Sequence, residues 1–198
     1  MHDLPALWLA AFPLMGSPGP ATLSLAAIGT AFGFSAGRSY LLGIIVGTTI
    51  VLLLIASGVT ALILADPALV TVLTVVAALY ILYLAWRIAT SPVGARKAQA
   101  EAAPGFVPGL VLAAANPKAF AAIGAVYASH NLVEGDVVRD AALKILALAA
   151  VIVVVNTIWL GFGSAFSRML THAVLGRAAN IVFALMLLAS LALALVPH

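Results

Sequence analysis

Long windows without a charged residue dominate this chain, and they predict helices that cross a membrane. The windows cover residues 4–37, 39–65, 67–86, 102–117, 119–133, 145–167 and 178–198. About 20 apolar residues are needed to cross the hydrocarbon core of a bilayer. The pattern therefore predicts six spans, at roughly 4–31, 40–64, 67–88, 104–129, 143–164 and 177–196.

Composition excludes a soluble protein. Hydrophobic residues make up 65% of the 198 positions and charged residues 8%, whereas soluble domains average about 25% charged residues. The length fits a single transmembrane domain over residues 1–198. The nine Lys and Arg residues are scattered along the chain, so we expect membrane lipid around it and no nucleic-acid partner. The absence of cysteine excludes disulfides and thiolate metal sites.

The distribution of charges predicts the orientation. Six basic residues flank the loops after the first, third and fifth predicted spans: Arg38, Arg87, Arg96, Lys97, Arg168 and Arg177. The opposite side carries only two, beside three acidic residues: Arg139 and Lys144, with Glu134, Asp136 and Asp140. Since basic loops stay in the cytoplasm, we expect a multi-pass protein of the bacterial inner membrane with both termini outside the cytoplasm.

Prolines interrupt the first and fourth spans. Pro18, Gly19 and Pro20 lie within the first span, and Asn116 and Pro117 lie within the fourth. Proline disrupts a helix interior but suits the first helical turn, and Asn is a good N-cap. Each break is therefore predicted to begin a half-helix whose unpaired N–H groups and positive dipole end lie deep in the membrane. Simple proline kinks, which membrane helices tolerate, are the alternative.

The two breaks also mark a predicted internal repeat. Each break opens a set of three spans, and because three is odd, the second set is inverted in the membrane. The predicted fold is an all-α membrane protein, with six transmembrane helices as two inverted three-helix repeats and interrupted first and fourth helices. The repeats cover about 1–90 and 104–198 and are joined by a cytoplasmic linker at 90–103. In transporters built this way, the binding site lies at the repeat interface near the midplane.

A single charge lies inside a predicted span. Lys118 is the only Lys, Arg, Asp or Glu between Glu101 and Glu134, and a charge at the centre of a span costs roughly 2.5–3.5 kcal/mol on insertion scales. Lys118 either extends its ammonium to the membrane interface or has a functional role within the membrane. Both half-helices are predicted to point their positive ends at the midplane, where a substrate carboxylate would satisfy them together with the lysine.

Other polar groups within the spans add to this candidate site. Asn156 either lines a cavity or makes a hydrogen bond between helices, and Tyr80 of the third span is expected to reach the cavity. The predicted substrate-binding residues are Pro18, Gly19, Pro20, Asn116, Pro117, Lys118, Asn156 and Tyr80. Glycines at four-residue spacing predict close helix packing: Gly29, Gly33 and Gly37, then Gly43 and Gly47, then Gly105 and Gly109.

No arrangement typical of an enzyme appears. The spans hold no carboxylate pair, the histidines fall near span ends, and no phosphate-binding glycine loop is present. We therefore expect no catalytic residue, metal or cofactor. The leading interpretation is an exporter of a small zwitterionic or anionic metabolite, with an amino acid or similar carboxylate as substrate. A membrane scaffold or assembly protein and an intramembrane enzyme are the alternatives, and the absence of paired catalytic groups disfavours the enzyme. A homodimer is left open.

Taken together, these residues resemble the lysine-exporter/RhtB family of bacterial amino-acid exporters over nearly the whole chain. The resemblance rests on the run Pro18-Gly19-Pro20, the spaced glycines, residues 78–87 and the run Asn116-Pro117-Lys118. It implies export of amino acids or related metabolites, driven by the proton-motive force.

The chain departs from the family pattern at three places. Ala21 stands where the family often has Asn, Thr48 stands where it often has an acidic residue, and residues 127–130 lack the usual Pro-Gln. No acidic residue lies within any predicted span. A cationic substrate is therefore disfavoured, and the proton carriers that remain are Lys118 and the histidines at span ends.

Overall fold

The computed structural model describes residues 4–58, 66–91, 103–169 and 173–195, and nearly all of these residues are helical. In chain order the helices are α1 (Leu4–Gly16), α2 (Pro20–Phe32), α3 (Phe34–Ala56), α4 (Pro67–Thr90), α5 (Phe106–Ala114), α6 (Pro117–Ser129), α7 (Val137–Met169) and α8 (Ala173–Leu195). The described ranges contain no strand, so the all-α prediction is confirmed. The linker predicted at 90–103 lies mostly outside the described residues.

Several of these helices are apolar enough to cross a membrane. Three helices are long and apolar enough to span a membrane: Phe34–Ala56, Val137–Phe166 and Val174–Ala192. A fourth span results if α5 and α6, which are bent by 59° at their break, count as one. The shorter apolar helices are Leu4–Gly16, Pro20–Phe32 and Thr74–Thr90. The helices support a multi-pass membrane protein, and the arrangement of six spans stays a prediction.

Helix boundaries differ from the predicted spans most clearly at α3 and α7. α3 begins at Phe34, six residues before the predicted start at 40, because Gly33 alone makes the turn from α2. Gly33 has a φ of 86°, a conformation that favours glycine. α7 has 33 residues and extends beyond the predicted span 143–164 at both ends. Charge-free windows placed these boundaries too far inward, because a charged residue such as Arg38 ends a window but not a helix.

Glycines allow two pairs of helices to pack with their backbones in contact. A Cβ added at Gly163 of α7 would overlap the carbonyl oxygen of Ala26 on α2, and one added at Gly43 of α3 would overlap the carbonyl oxygen of Phe106 on α5. Other glycines approach the facing backbone in the same way: Gly29, Gly47 and Gly109. We call these contacts the α2–α7 seam and the α3–α5 seam. The predicted close packing is confirmed at Gly29, Gly43, Gly47 and Gly109, whereas an added Cβ at Gly33 or Gly105 meets nothing within 4 Å.

Basic side chains lie together at one end of the bundle, which we call the basic end. Arg87 of α4 lies 5.7 Å from the centre of the Phe32 ring at the end of α2. Arg177 of α8 donates to the carbonyl oxygen of Ala89 near the end of α4, at 2.6 Å. Arg38 is exposed near the start of α3, two residues after Ala36 and close to the α2–α3 turn. The ends of α2 and α4 and the starts of α3 and α8 therefore meet here.

A buried ion pair stabilises the opposite end of the bundle, which we call the acidic end. Lys144 Nζ and Asp140 Oδ2, both on α7, are 2.7 Å apart, and both residues are buried. Asp140 also accepts from the backbone N–H groups of Leu132 and Val133. Lys144 donates to the carbonyl oxygen of His130 at 2.8 Å. The pair therefore ties the loop between α6 and α7 to the first turns of α7.

Candidate substrate site at the two helix breaks

A small cavity of about 40 Å³ lies between the two helix breaks. Its polar lining consists of Thr22, Thr48, Asn116, Lys118 and Asn156, and the rest is apolar or glycine: Met15, Gly19, Ala21, Ala119, Ala122, Ile123, Ile152 and Val155. Ala21 belongs to the apolar core around α2, α4 and α8, whereas Ile123 and Ile152 belong to the core around α1, α6 and α7. The cavity therefore lies where the two cores meet, away from both ends of the bundle.

The start of α2 presents free backbone donors to this cavity. Gly19 occupies the N-cap position and Pro20 the first helical position, and no side chain caps the helix. The Thr22 hydroxyl accepts from the Gly19 N–H at 2.9 Å. Among the described residues, no acceptor contacts the N–H groups of Ala21 and Thr22. The positive dipole end of α2 is therefore uncapped where it meets the cavity.

The start of α6, in contrast, is capped by its own asparagine. The Asn116 side-chain oxygen accepts from the Lys118 N–H at 3.2 Å, and the Asn116 carbonyl accepts from the Ala119 N–H at 3.0 Å. Pro117 follows Asn116 as the first helical residue and has no N–H. The N-cap predicted at Asn116 is confirmed. Of the two half-helices expected to offer N–H groups to an anion, only α2 has them free.

The side chain of Lys118 crosses from α6 to the break between α1 and α2. Its Nζ donates to the carbonyl oxygen of Ser17. Its stem lies against Gly19, where an added Cβ would be 2.5 Å from Lys118 Cδ. A lysine ammonium has three donors, so two remain for a ligand. Within the described part of the chain, Lys118 is the only charged residue that lines the cavity.

α7 supplies the polar groups on the other side of the cavity. Asn156 donates from Nδ2 to the carbonyl oxygen of Ile152 at 2.7 Å, which leaves its amide oxygen as an acceptor for a ligand. One turn further along, Trp159 Nε1 donates to the carbonyl oxygen of Gly16 at 3.0 Å. This bond ties the end of α1 to α7.

The structure brings half of the predicted site residues to the cavity. Four line it: Gly19, Asn116, Lys118 and Asn156. Pro18 and Pro117 are exposed and Pro20 is buried, and all three shape the breaks without lining the cavity. Tyr80 lies apart from it, packed against the core around α2 and α4. Its hydroxyl is buried and has no hydrogen-bond partner among the described residues.

Three further groups of the site were absent from the predicted set. Thr22 lies three residues after Gly19, the spacing at which a side chain bonds back to a helix start, and this spacing could have indicated it. Thr48 is a polar residue inside a span and stands where the related family often has an acidic residue, and this position could have indicated it. The Ser17 carbonyl acts through the backbone, so no residue type marks it.

The comparison with known families decides the class of protein. The model of the LysE type translocator family matches residues 13–197. The chain belongs to this family. It is therefore a membrane translocator and not an enzyme, and the resemblance to the lysine-exporter/RhtB family is confirmed.

Curated relatives of this translocator are efflux proteins. The cysteine/O-acetylserine efflux protein of Salmonella paratyphi A is 31% identical over 184 residues, which cover 93% of each chain. The protein of the same name from Salmonella typhimurium is also 31% identical over 184 residues. The one from Escherichia coli K12 is 38% identical over 89 residues, 45% of this chain and 46% of its own. No solved structure matches this chain significantly.

Proposed function

We propose that this translocator exports small neutral amino acids of the cysteine and O-acetylserine class across the inner membrane, driven by the proton-motive force. The observation that carries the proposal is that Lys118 and the uncapped start of α2 meet at one cavity. An ammonium group and a helix N-terminus both stabilise an anion. A substrate carboxylate bound here would satisfy both.

The rest of the lining favours a substrate with an uncharged side chain. No Asp or Glu lines the cavity among the described residues, so a second cationic group on the substrate would lie unpaired in the membrane interior, which is costly. Thr48 and Asn156 offer hydrogen-bonding groups, and Ile123 and Ile152 offer apolar surface. This mixture suits a thiol or an acetyl ester, in agreement with the names of the relatives.

The cavity has to enlarge before a substrate enters. A volume of about 40 Å³ holds about three water molecules, whereas small-molecule sites usually enclose roughly 300–1,000 Å³. The flexible stem of Lys118 fills the space beside Gly19. Movement of this side chain is therefore one step that makes room for the substrate.

Transport by the purified protein tests the proposal directly. In proteoliposomes, we expect labelled O-acetylserine and cysteine to enter faster than they enter liposomes without protein, and lysine to show no such difference. With equal substrate on both sides, an imposed pH gradient should drive accumulation. Rates equal to those of protein-free liposomes would contradict export, whereas transport without accumulation would contradict proton coupling alone.

We further infer that the chain forms two inverted repeats with both termini outside and the basic end in the cytoplasm. The positive-inside rule supports this orientation, because Arg87 and Arg177 contact neighbouring helices at the same end of the bundle. The two broken helix pairs, α1 with α2 and α5 with α6, each open one of the repeats. A homodimer within the lipid bilayer stays a prediction.

Single cysteines test the orientation without background, because the native chain has none. Ser35 at the basic end and Glu134 at the acidic end are both exposed. We expect an impermeant thiol reagent to label Glu134→Cys in intact cells and to label Ser35→Cys only after permeabilisation. The reverse pattern would overturn the orientation.

A further inference from the structure

The end of α1 is a second, oppositely charged feature of the helix break. The last carbonyl groups of a helix lack partners within it and carry the negative end of the dipole. The Gly16 carbonyl accepts from Trp159 Nε1 at 3.0 Å, and the Ser17 carbonyl accepts from Lys118 Nζ. The Thr22 hydroxyl also lies 3.3 Å from the Ser17 carbonyl oxygen. A lysine ammonium from the second half of the chain therefore occupies this carbonyl end.

The break places the two dipole ends side by side. Only residues 17–19 separate the carbonyl end of α1 from the N–H end of α2. The N–H groups of Ala21 and Thr22 have no acceptor among the described residues. An α-amino acid carries an ammonium and a carboxylate on the same carbon atom, so its two charges match this pair of ends.

We propose that a substrate zwitterion inserts between Lys118 and Ser17. Its ammonium replaces that of Lys118 at the Ser17 carbonyl, and its carboxylate pairs with Lys118 and with the free N–H groups at the start of α2. The inference rests on the proposed function and extends it, because it assigns a subsite for the ammonium and makes a free α-amino group a requirement for export.

The exchange leaves no charged group unpaired in a region poor in water. Lys118 exchanges its hydrogen bond to the Ser17 carbonyl for an ion pair with the substrate carboxylate. The Ser17 carbonyl then accepts from the substrate ammonium in place of the lysine ammonium. A carboxylate without an ammonium would draw Lys118 away and leave the partly buried Ser17 carbonyl with only its 3.3 Å contact to the Thr22 hydroxyl, which is unfavourable for a carbonyl withdrawn from water. An amine without a carboxylate would place two ammonium groups at one carbonyl. Only the zwitterion avoids both penalties.

Three ligands with the same acetyl ester separate these cases: O-acetylserine, 3-acetoxypropionate, which lacks the amino group, and 2-acetoxyethylammonium, which lacks the carboxylate. Binding is measured by titration calorimetry on the purified full chain in detergent. For the native protein, we expect both single-charge ligands to bind about tenfold more weakly than O-acetylserine, or weaker still. Equal affinity for 3-acetoxypropionate and O-acetylserine would overturn the ammonium subsite and leave carboxylate export intact.

The variant Lys118→Met tests the exchange itself. Without the lysine ammonium, the Ser17 carbonyl keeps only its 3.3 Å contact with the Thr22 hydroxyl. We therefore expect 2-acetoxyethylammonium to bind this variant about tenfold more tightly than it binds the native protein. Unchanged affinity for this ligand would contradict the exchange. If the variant does not fold, the affinities of the three ligands for the native protein test the ammonium subsite instead. A native protein that neither binds nor transports O-acetylserine would instead contradict the proposed function.

Discussion

Replacing Lys118 with methionine is expected to lower O-acetylserine transport by roughly 10- to 100-fold, because hydrogen bonds to charged groups are each worth about 1.5–3 kcal/mol. Methionine keeps an unbranched stem of similar length and removes the only charge that lines the cavity among the described residues. Initial rates in proteoliposomes measure the effect. Lys118→Arg should retain part of the activity, because it keeps the charge but replaces a compact ammonium with a planar guanidinium.

Loss of charge at an exposed position provides the matched control. Arg139 lies on the first turns of α7 at the acidic end and is exposed, so Arg139→Met should transport at the native rate. The thermal midpoint of each purified variant shows whether the fold is kept. Native rates for a folded Lys118→Met variant would mean that the lysine does not bind substrate, and the proposed site would be wrong.

The parts of the site that could be predicted from the sequence are those in which a residue and its neighbours in the chain determine the local structure. Asn116 before Pro117 predicts a capped helix start, and the structure has one. Lys118 follows in an apolar span, where a charge needs a partner. Ser17 before Pro18 and Gly19 before Pro20 are both possible starts of the other half-helix in the sequence, and the structure begins it at Pro20. Each of these inferences depends on neighbours in the chain, so no tertiary information was needed.

Contacts between distant residues could not be predicted in the same way. Lys144 and Asp140, four residues apart on α7, appear in the sequence as charges that mark one side of the membrane. The structure buries both beneath the α6–α7 loop, where they bond to the backbone of Leu132 and His130. Tyr80 was expected at the cavity, but the rotation of α4 about its axis turns it to another core. Neither burial nor helix rotation follows from spacing when nearly every position in a span is apolar.

The sequence also did not indicate which helix packs against each glycine. Four-residue spacing indicates a face that allows close approach, but it does not say which helix approaches. The structure pairs Gly163 and Gly29 across the α2–α7 seam, and Gly43 and Gly109 across the α3–α5 seam. At the helix break, an added Cβ at Gly16 meets Val155 only at 3.7 Å. The close backbone contacts at the seams therefore lie between the helix breaks and the basic end.

This asymmetry bears on how an exporter would load its substrate. In the proposed orientation, substrate reaches the cavity from the cytoplasm, and the two seams lie between the cavity and that side. Loading then requires the seams to part, and export requires them to close again behind the substrate. Side chains that prevent closure should therefore affect both the stability of the fold and transport.

The alanine variant of Gly163 is expected to destabilise the protein by roughly 1–3 kcal/mol or more, the range for added volume in a packed core. The new methyl group would overlap the carbonyl oxygen of Ala26, and a backbone atom cannot turn aside as a side chain can. α2 and α7 would have to separate, which also weakens the 3.1 Å bond from the Thr30 hydroxyl to the Gly163 carbonyl. Gly161→Ala on the same helix is the matched control, because nothing lies within 4 Å of its added Cβ. We expect a lower thermal midpoint and reduced O-acetylserine transport for Gly163→Ala and near-native values for Gly161→Ala, and equal behaviour of the two variants would contradict the α2–α7 seam.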